Sequence, residues 1–228
     1  MTKENTLANI TKELDYRLGM YAFLARVFRI EIDQEFLDQL NEIYITGEGE
    51  RQLSSAGEEI LVNFLSRHHD NLIVDLAVDY VKVFIGARQK AGALPYESYY
   101  TSKEHLIMQE ARDQVVMFYR AEGLDRSDQF TEPEDHIAFE LEFMAYLCQK
   151  SKDYLVSNQF VDALIGLRKQ RAFVETHLLN WTPDFLKDVA QSADTDFYKA
   201  IAKIASDFLM KEIQSIELLE KQINSLKN

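Results

Sequence analysis

The scarcity of helix-breaking residues is the feature that most limits how this chain can fold. Its 228 residues include only three prolines and eight glycines, and apolar residues recur at steps of three and four along most of the chain. That spacing places apolar side chains on one face of an α-helix, and no stretch alternates with the period of two that a half-buried strand requires. The sequence therefore predicts an all-α fold of about eight to ten helices.

Length and composition favour a single globular domain. Hydrophobic residues make up 46% of the chain and aromatic residues 11%, which favours a packed core over disorder. A chain of this length buries roughly 70–75% of its unfolded surface on folding. We predict one domain over residues 1–228, and the segments 86–102 and 123–131 are the candidate hinges.

Capping residues and glycines set the predicted helix ends. Asp33, Ser102 and a Thr131–Glu134 capping box mark three starts, and Gly86 and Gly123 mark two ends. The predicted helices are residues 7–28, 33–45, 58–67, 72–84, 102–123, 131–150, 157–179, 181–189 and 197–223.

Charge and cysteine content exclude several classes of protein. The formal net charge of −13 argues against a nucleic-acid-binding protein, which needs clustered Lys and Arg, and allows attraction of a basic partner. The single Cys148 excludes an intramolecular disulfide and a cysteine-based metal cluster. We expect a cytoplasmic protein without stable membrane insertion, because neither a signal-peptide pattern nor an uninterrupted membrane-spanning stretch is present.

Motifs for catalysis are missing. Glu132, His136 and Glu140 lie four residues apart, like a row of metal ligands, but the Glu-x-x-His pairs of di-iron bundles and the paired histidines of zinc proteases are absent. The chain also lacks a nucleophile elbow, a Rossmann glycine pattern and a phosphate-binding loop. We therefore expect no enzyme and no bound metal or cofactor, and a metal-dependent helical-bundle enzyme is left as an alternative hypothesis.

An acidic helix entrance is the main candidate for a binding site. Six acids and no Lys or Arg lie between Arg126 and Lys150. Asp135 and His136 are predicted in a first helical turn, where backbone N–H groups are free and carboxylates are favoured by the helix dipole. Ionised carboxylates accept bidentate hydrogen bonds from guanidinium groups. The alternatives are that the acids only stabilise the helix start and that His136 is a buried structural residue.

Tyrosines are concentrated beside the longest irregular segment, which is predicted from Ala87 to Thr101. Such long loops often carry function. The tyrosines predicted to form an amphipathic wall are Tyr21, Tyr80, Tyr96, Tyr99 and Tyr100; the alternative is ordinary core and loop packing. An acidic helix entrance beside such a wall suits a cationic peptide with an apolar flank.

These motifs resemble the TorD/DmsD family of redox enzyme maturation chaperones, which is related to the NarJ-type nitrate reductase chaperones. The matching stretches are DYVKVFIG at 79–86, PYES at 95–98 followed by YTS at 100–102, the helix end around 119–124, EPEDH at 132–136 with ELEFM at 140–144, and HLLNW at 177–181. PYES and EPEDH are the specific elements, and the others are supporting helical patterns. The first helix, with Tyr21, also fits.

The resemblance implies a TorD-like all-helical fold and binding of the N-terminal twin-arginine leader of a molybdopterin oxidoreductase. Dimethyl sulfoxide and trimethylamine N-oxide reductases are such clients. A chaperone of this family holds the apo-subunit until its cofactor is inserted and prevents premature export. The predicted leader-binding residues are Tyr21, Tyr80, Phe84, Pro95, Tyr96, Glu97, Pro133, Asp135, His136 and Glu140.

One departure from the family concerns tryptophan. Relatives often place tryptophans around the Pro-Tyr-Glu-Ser loop, whereas this chain has only Trp181, outside it.

The predicted partners are a twin-arginine signal peptide and the apo catalytic subunit, with a homodimer as a further hypothesis. A last alternative is a helical adaptor that binds a folded partner through the apolar stripe of its final helix.

Overall fold

The computed structural model describes residues 3–46, 55–68, 70–86, 92–125 and 131–227. Within these ranges the backbone contains helices and no β-strand, apart from an isolated antiparallel bridge between Tyr96 and His136. The helices are α1 Lys3–Arg29, α2 Gln34–Asn41, α3 Ala56–Leu65, α4 Leu72–Tyr80, α5 Glu97–Thr101, α6 Glu110–Ala121, α7 Ile137–Val156, α8 Phe160–Phe173, α9 Leu179–Ser192, α10 Asp196–Leu209 and α11 Glu212–Leu226. The all-α prediction is confirmed.

Single π-helical turns extend three of these helices, at Glu42–Thr46, Val81–Ile85 and Val174–Leu178. The last turn joins α8 to α9, so the backbone is helical from Phe160 to Ser192. The predicted break before Trp181 is therefore wrong. Counted as continuous stretches, the described residues form ten helices, which agrees with the predicted number.

The cap of α2 was predicted correctly from local sequence. The Asp33 side chain accepts a hydrogen bond from the N–H of Phe36 at 2.8 Å, which satisfies one of the free donors at the helix start. Leu37 and Leu40, spaced three apart, are the buried residues of this helix. The same apolar spacing that predicted the helix therefore gives it a buried face.

The helix predicted from Ser102 to Gly123 is interrupted, and this prediction is wrong at its start. Residues 97–101 form α5, and α6 begins only at Glu110. The Ser102 hydroxyl accepts the N–H of Leu106 at 3.0 Å and so closes a loop instead of capping a helix. His105 and Met108 have positive φ angles of 51° and 59°, a conformation incompatible with a right-handed helix. Residues 87–91 of the predicted irregular segment lie outside the described ranges.

The predicted capping box at Thr131 and Glu134 is also wrong. Helix α7 begins at Ile137, and His136 is its N-cap. The Glu134 carboxylate instead accepts hydrogen bonds from Arg112 Nε and Nη2 at 2.7 and 2.9 Å. A bidentate pair with a guanidinium is a stronger interaction than a capping contact, so a tertiary partner displaces the local motif. The predicted last helix is likewise divided, into α10 and α11.

Contacts group the chain into two compact units. The first unit consists of Met1–Arg26, Tyr96–Trp181 and Leu209–Asn228. In this unit α7 and α11 both pack against α8. Cys148 is buried in α7, and burial raises the pKa of its thiol to about 12.

The second unit consists of Val27–Pro95 and Thr182–Phe208. Its core contains a cluster of aromatic rings with centroids 4.9 to 6.3 Å apart, formed by Phe28, Tyr80, Phe84, Phe185 and Tyr198. The Tyr80 hydroxyl donates to the carbonyl oxygen of Phe28 at 3.2 Å. The single domain over residues 1–228 stays a prediction.

Replacement of Gly57 by alanine is expected to lower the free energy of unfolding by about 1–3 kcal/mol. A Cβ atom at Gly57 would lie 2.7 Å from the backbone nitrogen of Ile204 and 3.1 Å from the carbonyl oxygen of Ala200, so α10 would have to shift. The matched control is Gly19→Ala in α1, where a Cβ meets no described atom within 4 Å. Alanine has the higher helix propensity, and this control should gain about 0.5–1 kcal/mol. Urea unfolding followed by circular dichroism measures both, and a raised midpoint for Gly57→Ala would contradict the first expectation.

Among the described helices, none has the length and apolar character needed to cross a membrane.

Candidate functional site

The Pro-Tyr-Glu-Ser segment and the start of α7 are held together by backbone hydrogen bonds. The N–H of Glu97 donates to the carbonyl oxygen of Asp135 at 3.0 Å, and Tyr96 pairs with His136 in the isolated bridge. The Tyr96 and His136 rings meet edge to face with centroids 5.2 Å apart. Two motifs about forty residues apart in sequence therefore form one local structure in the first unit.

Asp135 fixes this arrangement with its side chain. Its Oδ2 accepts the N–H of Ser98 at 2.9 Å, and the residue is completely buried. Burial raises the pKa of Asp135, and the hydrogen bond from Ser98 acts in the opposite direction. The other oxygen, Oδ1, has no hydrogen-bond partner among the described residues. Asp135 is thus not an exposed acid of a first helical turn, because the Tyr96–Ser98 segment covers it.

His136 is the N-cap of α7. Its Nδ1 accepts the N–H of Ala138 at 3.1 Å, and only 4% of its surface is exposed. Because an imidazole nitrogen accepts a hydrogen bond only when it carries no proton, the cap requires an unprotonated Nδ1. A neutral imidazole is also the form that suits a helix start, where a positive charge is disfavoured by the dipole.

Two further buried carboxylates lie next to this anchor. Glu97 is hydrogen-bonded to His177 Nδ1 at 2.8 Å, and Glu140 accepts the indole N–H of Trp181 at 3.1 Å. All four side chains are buried. The pKa of Glu140 is raised well above its usual range, first by burial and then by the negative charge of Glu97. Glu97, Asp135, Glu140, His177 and Trp181 together are called the buried acid cluster below.

His177 and Trp181 were not predicted as site residues. They belong to the HLLNW stretch that carried part of the family resemblance, and their spacing of four places them on one helical face. That spacing was the available signal. Their partners lie 80 and 41 residues away, and such a separation leaves no local pattern.

The two outer acids of the helix entrance are already engaged. Glu132 accepts a hydrogen bond from the Tyr96 hydroxyl, and Glu134 pairs with Arg112. The Tyr119 hydroxyl donates to the carbonyl oxygen of Glu134 at 3.1 Å. These acids therefore hold the segment before α7 in place through partners outside the helix.

The other predicted site residues lie in different surroundings. Tyr21 donates to Glu212 within a second buried network of the first unit. Tyr80 and Phe84 belong to the aromatic cluster of the second unit. Pro95 lies in the same unit. Pro133 is half-buried, and its carbonyl oxygen accepts the N–H of His136 at 3.0 Å.

A cavity of about 420 Å³ opens beside the buried acid cluster. Its lining is mostly polar and consists of Glu97, Thr101, Ser102, Lys103, Glu104, Gln109, Glu110, Ala111, Gln114 and Asn180. Three of these residues are acidic and one is basic, so the lining favours a cation. The loop at 102–109, which contributes four of them, also exposes Leu106 and Met108, each more than half accessible.

The metal-enzyme alternative requires grouped metal ligands. No set of three or more His, Cys, Asp or Glu side chains within the described ranges is arranged to hold a metal ion. In the buried acid cluster, Asp135 accepts a backbone N–H, Glu97 is hydrogen-bonded to an imidazole and Glu140 accepts an indole N–H.

Comparison with known proteins gives the family. A family model described as nitrate reductase delta subunit matches residues 50–187, which is more than half of the chain. The chain belongs to this family. Its curated relatives include the chaperone protein TorD of Vibrio vulnificus strain CMCP6, which is 29% identical over 200 residues covering 85% of this chain and 91% of the relative. TorD of Shewanella pealeana is 24% identical over 220 residues and covers 91% of each chain.

A solved structure supports the fold. The crystal structure of a redox enzyme maturation protein from Archaeoglobus fulgidus superposes with a TM-score of 0.52, covering 86% of this chain and 94% of the other at 21% identity. The predicted membership of the TorD-type chaperones is confirmed, as is the prediction of a chaperone in place of an enzyme, since the relatives are named as chaperones. This member of the family is a redox enzyme maturation chaperone.

Proposed function

We propose that this chaperone binds the N-terminal twin-arginine leader of a molybdopterin oxidoreductase of the dimethyl sulfoxide or trimethylamine N-oxide reductase type. It acts in the cytoplasm, holds the apo catalytic subunit while the molybdenum cofactor is inserted, and prevents premature export. The client enzyme, and not the chaperone, carries the cofactor. TorD relatives make a molybdoenzyme the expected class of client.

The observation that carries the proposal is the contact between the PYES and EPEDH motifs, at 95–98 and 132–136. Glu97 and Ser98 of one motif donate backbone hydrogen bonds to Asp135 of the other, and Tyr96 pairs with His136 in the isolated bridge. Because these contacts hold the two segments in one conformation beside a cavity, the segments are suited to presenting a preorganised surface to a peptide. Tyr96, Glu97, Pro133, Asp135, His136 and Glu140 belong to this structure. The leader-binding roles of all ten predicted residues, which also include Tyr21, Tyr80, Phe84 and Pro95, remain predictions.

The chemistry of a twin-arginine leader matches the surface beside this contact. The leader joins two guanidinium groups to an apolar stretch. The cavity offers acidic and amide oxygens to a guanidinium, and the exposed Leu106 and Met108 offer apolar contact next to it. The net charge of −13 also attracts a basic segment at long range. Because a flexible leader loses entropy on binding, we expect affinity in the micromolar range, about −8 kcal/mol.

The direct test is co-purification from the native host under conditions that induce the reductase. We expect a molybdopterin oxidoreductase subunit that retains its leader. Deleting the leader from that client should remove the complex. A complex that survives the deletion would instead support the adaptor hypothesis, in which a folded part of the client is recognised.

Replacing both leader arginines by lysine is expected to weaken binding by about tenfold or more. Lysine keeps the charge, so long-range attraction is the same, but an ammonium group cannot form the bidentate hydrogen bonds of a guanidinium. Isothermal titration of the two synthetic leaders into the purified chaperone measures the difference. Equal affinities would mean that charge alone is recognised.

A further inference from the structure

The buried acid cluster holds more carboxyl groups than it has groups to neutralise them. Glu97, Asp135 and Glu140 are each almost fully inaccessible to solvent. Of the side chains hydrogen-bonded to them in the described part of the chain, only His177 is able to carry a positive charge. Three ionised carboxylates would therefore leave uncompensated negative charge in a region from which water is excluded, which is strongly unfavourable.

Glu140 is the carboxyl group best placed to retain a proton. Its Oε2 accepts the indole N–H of Trp181, and its Oε1 has no donor among the described residues. Burial and then the negative charge of Glu97 raise the pKa of Glu140. A buried carboxyl group with one unpaired oxygen and a second carboxylate nearby is more stable with its proton than without it.

The other titratable groups around Glu97 and Glu140 do not compensate the negative charge in place of this proton. They are Asp135, Glu134, His136, His177 and Tyr119. Two are acids. His136 accepts a hydrogen bond at Nδ1, and Tyr119 is neutral because burial raises the pKa of its hydroxyl well above the usual range. The nearby Arg112 guanidinium is directed at Glu134.

Glu97 links Glu140 to the cavity. It forms part of the cavity lining, and its negative charge acts on Glu140. Glu104 and Glu110 lie on the same lining and are exposed. A cation that enters the cavity therefore approaches the carboxylate whose charge favours the proton on Glu140.

We propose that the cavity receives one guanidinium group of the client segment, and that this group enters in exchange for the proton held by Glu140. The inference rests on the proposed leader binding, which supplies the guanidinium. In the exchange a guanidinium N–H donates to the Glu97 carboxylate, and Glu140 releases its proton to solvent. One positive charge enters and one leaves, so the net charge of the buried region is unchanged.

The exchange gives the affinity a defined dependence on pH. A guanidinium stabilises the ionised form of Glu140, so binding lowers the pKa of this group, and protons compete with the leader. As the pH rises towards the pKa of Glu140 in the free chaperone, leader affinity should increase by up to about tenfold per pH unit. Above that pKa the affinity should be constant. A guanidinium held only by ordinary surface carboxylates would show no such increase near neutral pH.

Trp181 provides a test of the retained proton that needs no ligand. It is the only tryptophan of the chain and donates directly to Glu140, so its fluorescence reports ionisation of that group. We expect a step in emission above the ordinary pH range of glutamate, and we expect Glu140→Gln to abolish it because the amide cannot ionise. The matched control is Glu175→Gln, on the same turn as His177 but exposed and paired with Arg171, which should retain the step. A missing step, or one that persists in Glu140→Gln, overturns the proposal.

Calorimetry tests the exchange itself. The leader peptide is titrated into the chaperone at one neutral pH in phosphate and in Tris, whose ionisation heats differ strongly. We expect a difference in observed heat that corresponds to release of about one proton per leader, and no difference for Glu140→Gln. Binding with equal heats in both buffers overturns the exchange and leaves leader binding intact. A folded chaperone that binds no leader contradicts the proposed function and the exchange together, whereas the fluorescence step still decides whether the proton is retained.

Discussion

Replacing Arg17 by methionine should lower the free energy of unfolding by about 3–5 kcal/mol. The guanidinium of Arg17 is completely buried and donates to the Glu212 carboxylate through Nε at 3.0 Å and Nη2 at 2.7 Å. Methionine has a similar length but no charge. It would leave the Glu212 carboxylate buried beside the Tyr21 hydroxyl without a counter-ion.

The loss should be large because Arg17 also organises neighbouring helices of the first unit. Its Nη1 donates to Gln170 Oε1 at 2.7 Å. The Gln170 amide in turn donates to the carbonyl oxygen of Leu147 at 3.0 Å and to the Ser151 hydroxyl at 2.9 Å. Side chains of α1, α7, α8 and α11 therefore depend on one guanidinium. Without it, several buried polar atoms lose their partners at once.

Two comparisons make this prediction specific. Arg112→Met removes an equally bidentate pair with Glu134, but Arg112 is about one third exposed, so its loss should be about 1 kcal/mol or less. The double variant Arg17→Met/Glu212→Leu removes both buried charges and should recover much of the loss. Urea unfolding curves of the three variants measure these differences. An Arg17→Met variant no less stable than Arg112→Met would contradict the expected cost of an unpaired buried charge.

The helices were predictable from sequence because their signals are local. Apolar spacing identified the helical segments, and Asp33 marked a true start. The predictions failed where a predicted capping side chain forms a different hydrogen bond. Glu134 pairs with Arg112, 22 residues away, and Ser102 closes a local loop with Leu106. Arg17 and Glu212 are 195 residues apart, and no periodic pattern indicates that they meet.

The candidate site was predictable in its residue types more than in its geometry. Asp135 and His136 were identified as a unit, and they are adjacent at the start of α7. Their burial was not predicted, because it depends on the Tyr96–Ser98 segment folding over them from 37 residues away. For the same reason, the spacing of the acids in the sequence could not show that Glu97 and Glu140 are both buried.

The Asp135→Ala/His136→Ala double variant should weaken leader binding by about tenfold or more while its helical circular dichroism stays intact. Loss of the Asp135 carboxylate leaves the buried N–H of Ser98 without an acceptor, at a cost of about 1–3 kcal/mol. Loss of the His136 cap costs about 0.5–2 kcal/mol. Both changes release the Tyr96–Ser98 segment from the start of α7, so the cavity beside Glu97 loses its shape although the helices remain.

The control for this variant must lose stability without touching the site. Asp33→Ala/Ser55→Ala removes two N-caps of the second unit, which accept the N–H groups of Phe36 and Glu58 at 2.8 and 3.2 Å, and should cost a comparable amount. We expect this control to bind the leader with wild-type affinity below its unfolding transition. Equal weakening of both double variants would show that binding follows global stability. Wild-type affinity in Asp135→Ala/His136→Ala would remove both residues from the leader site, because the anchored segment would then not be needed for recognition.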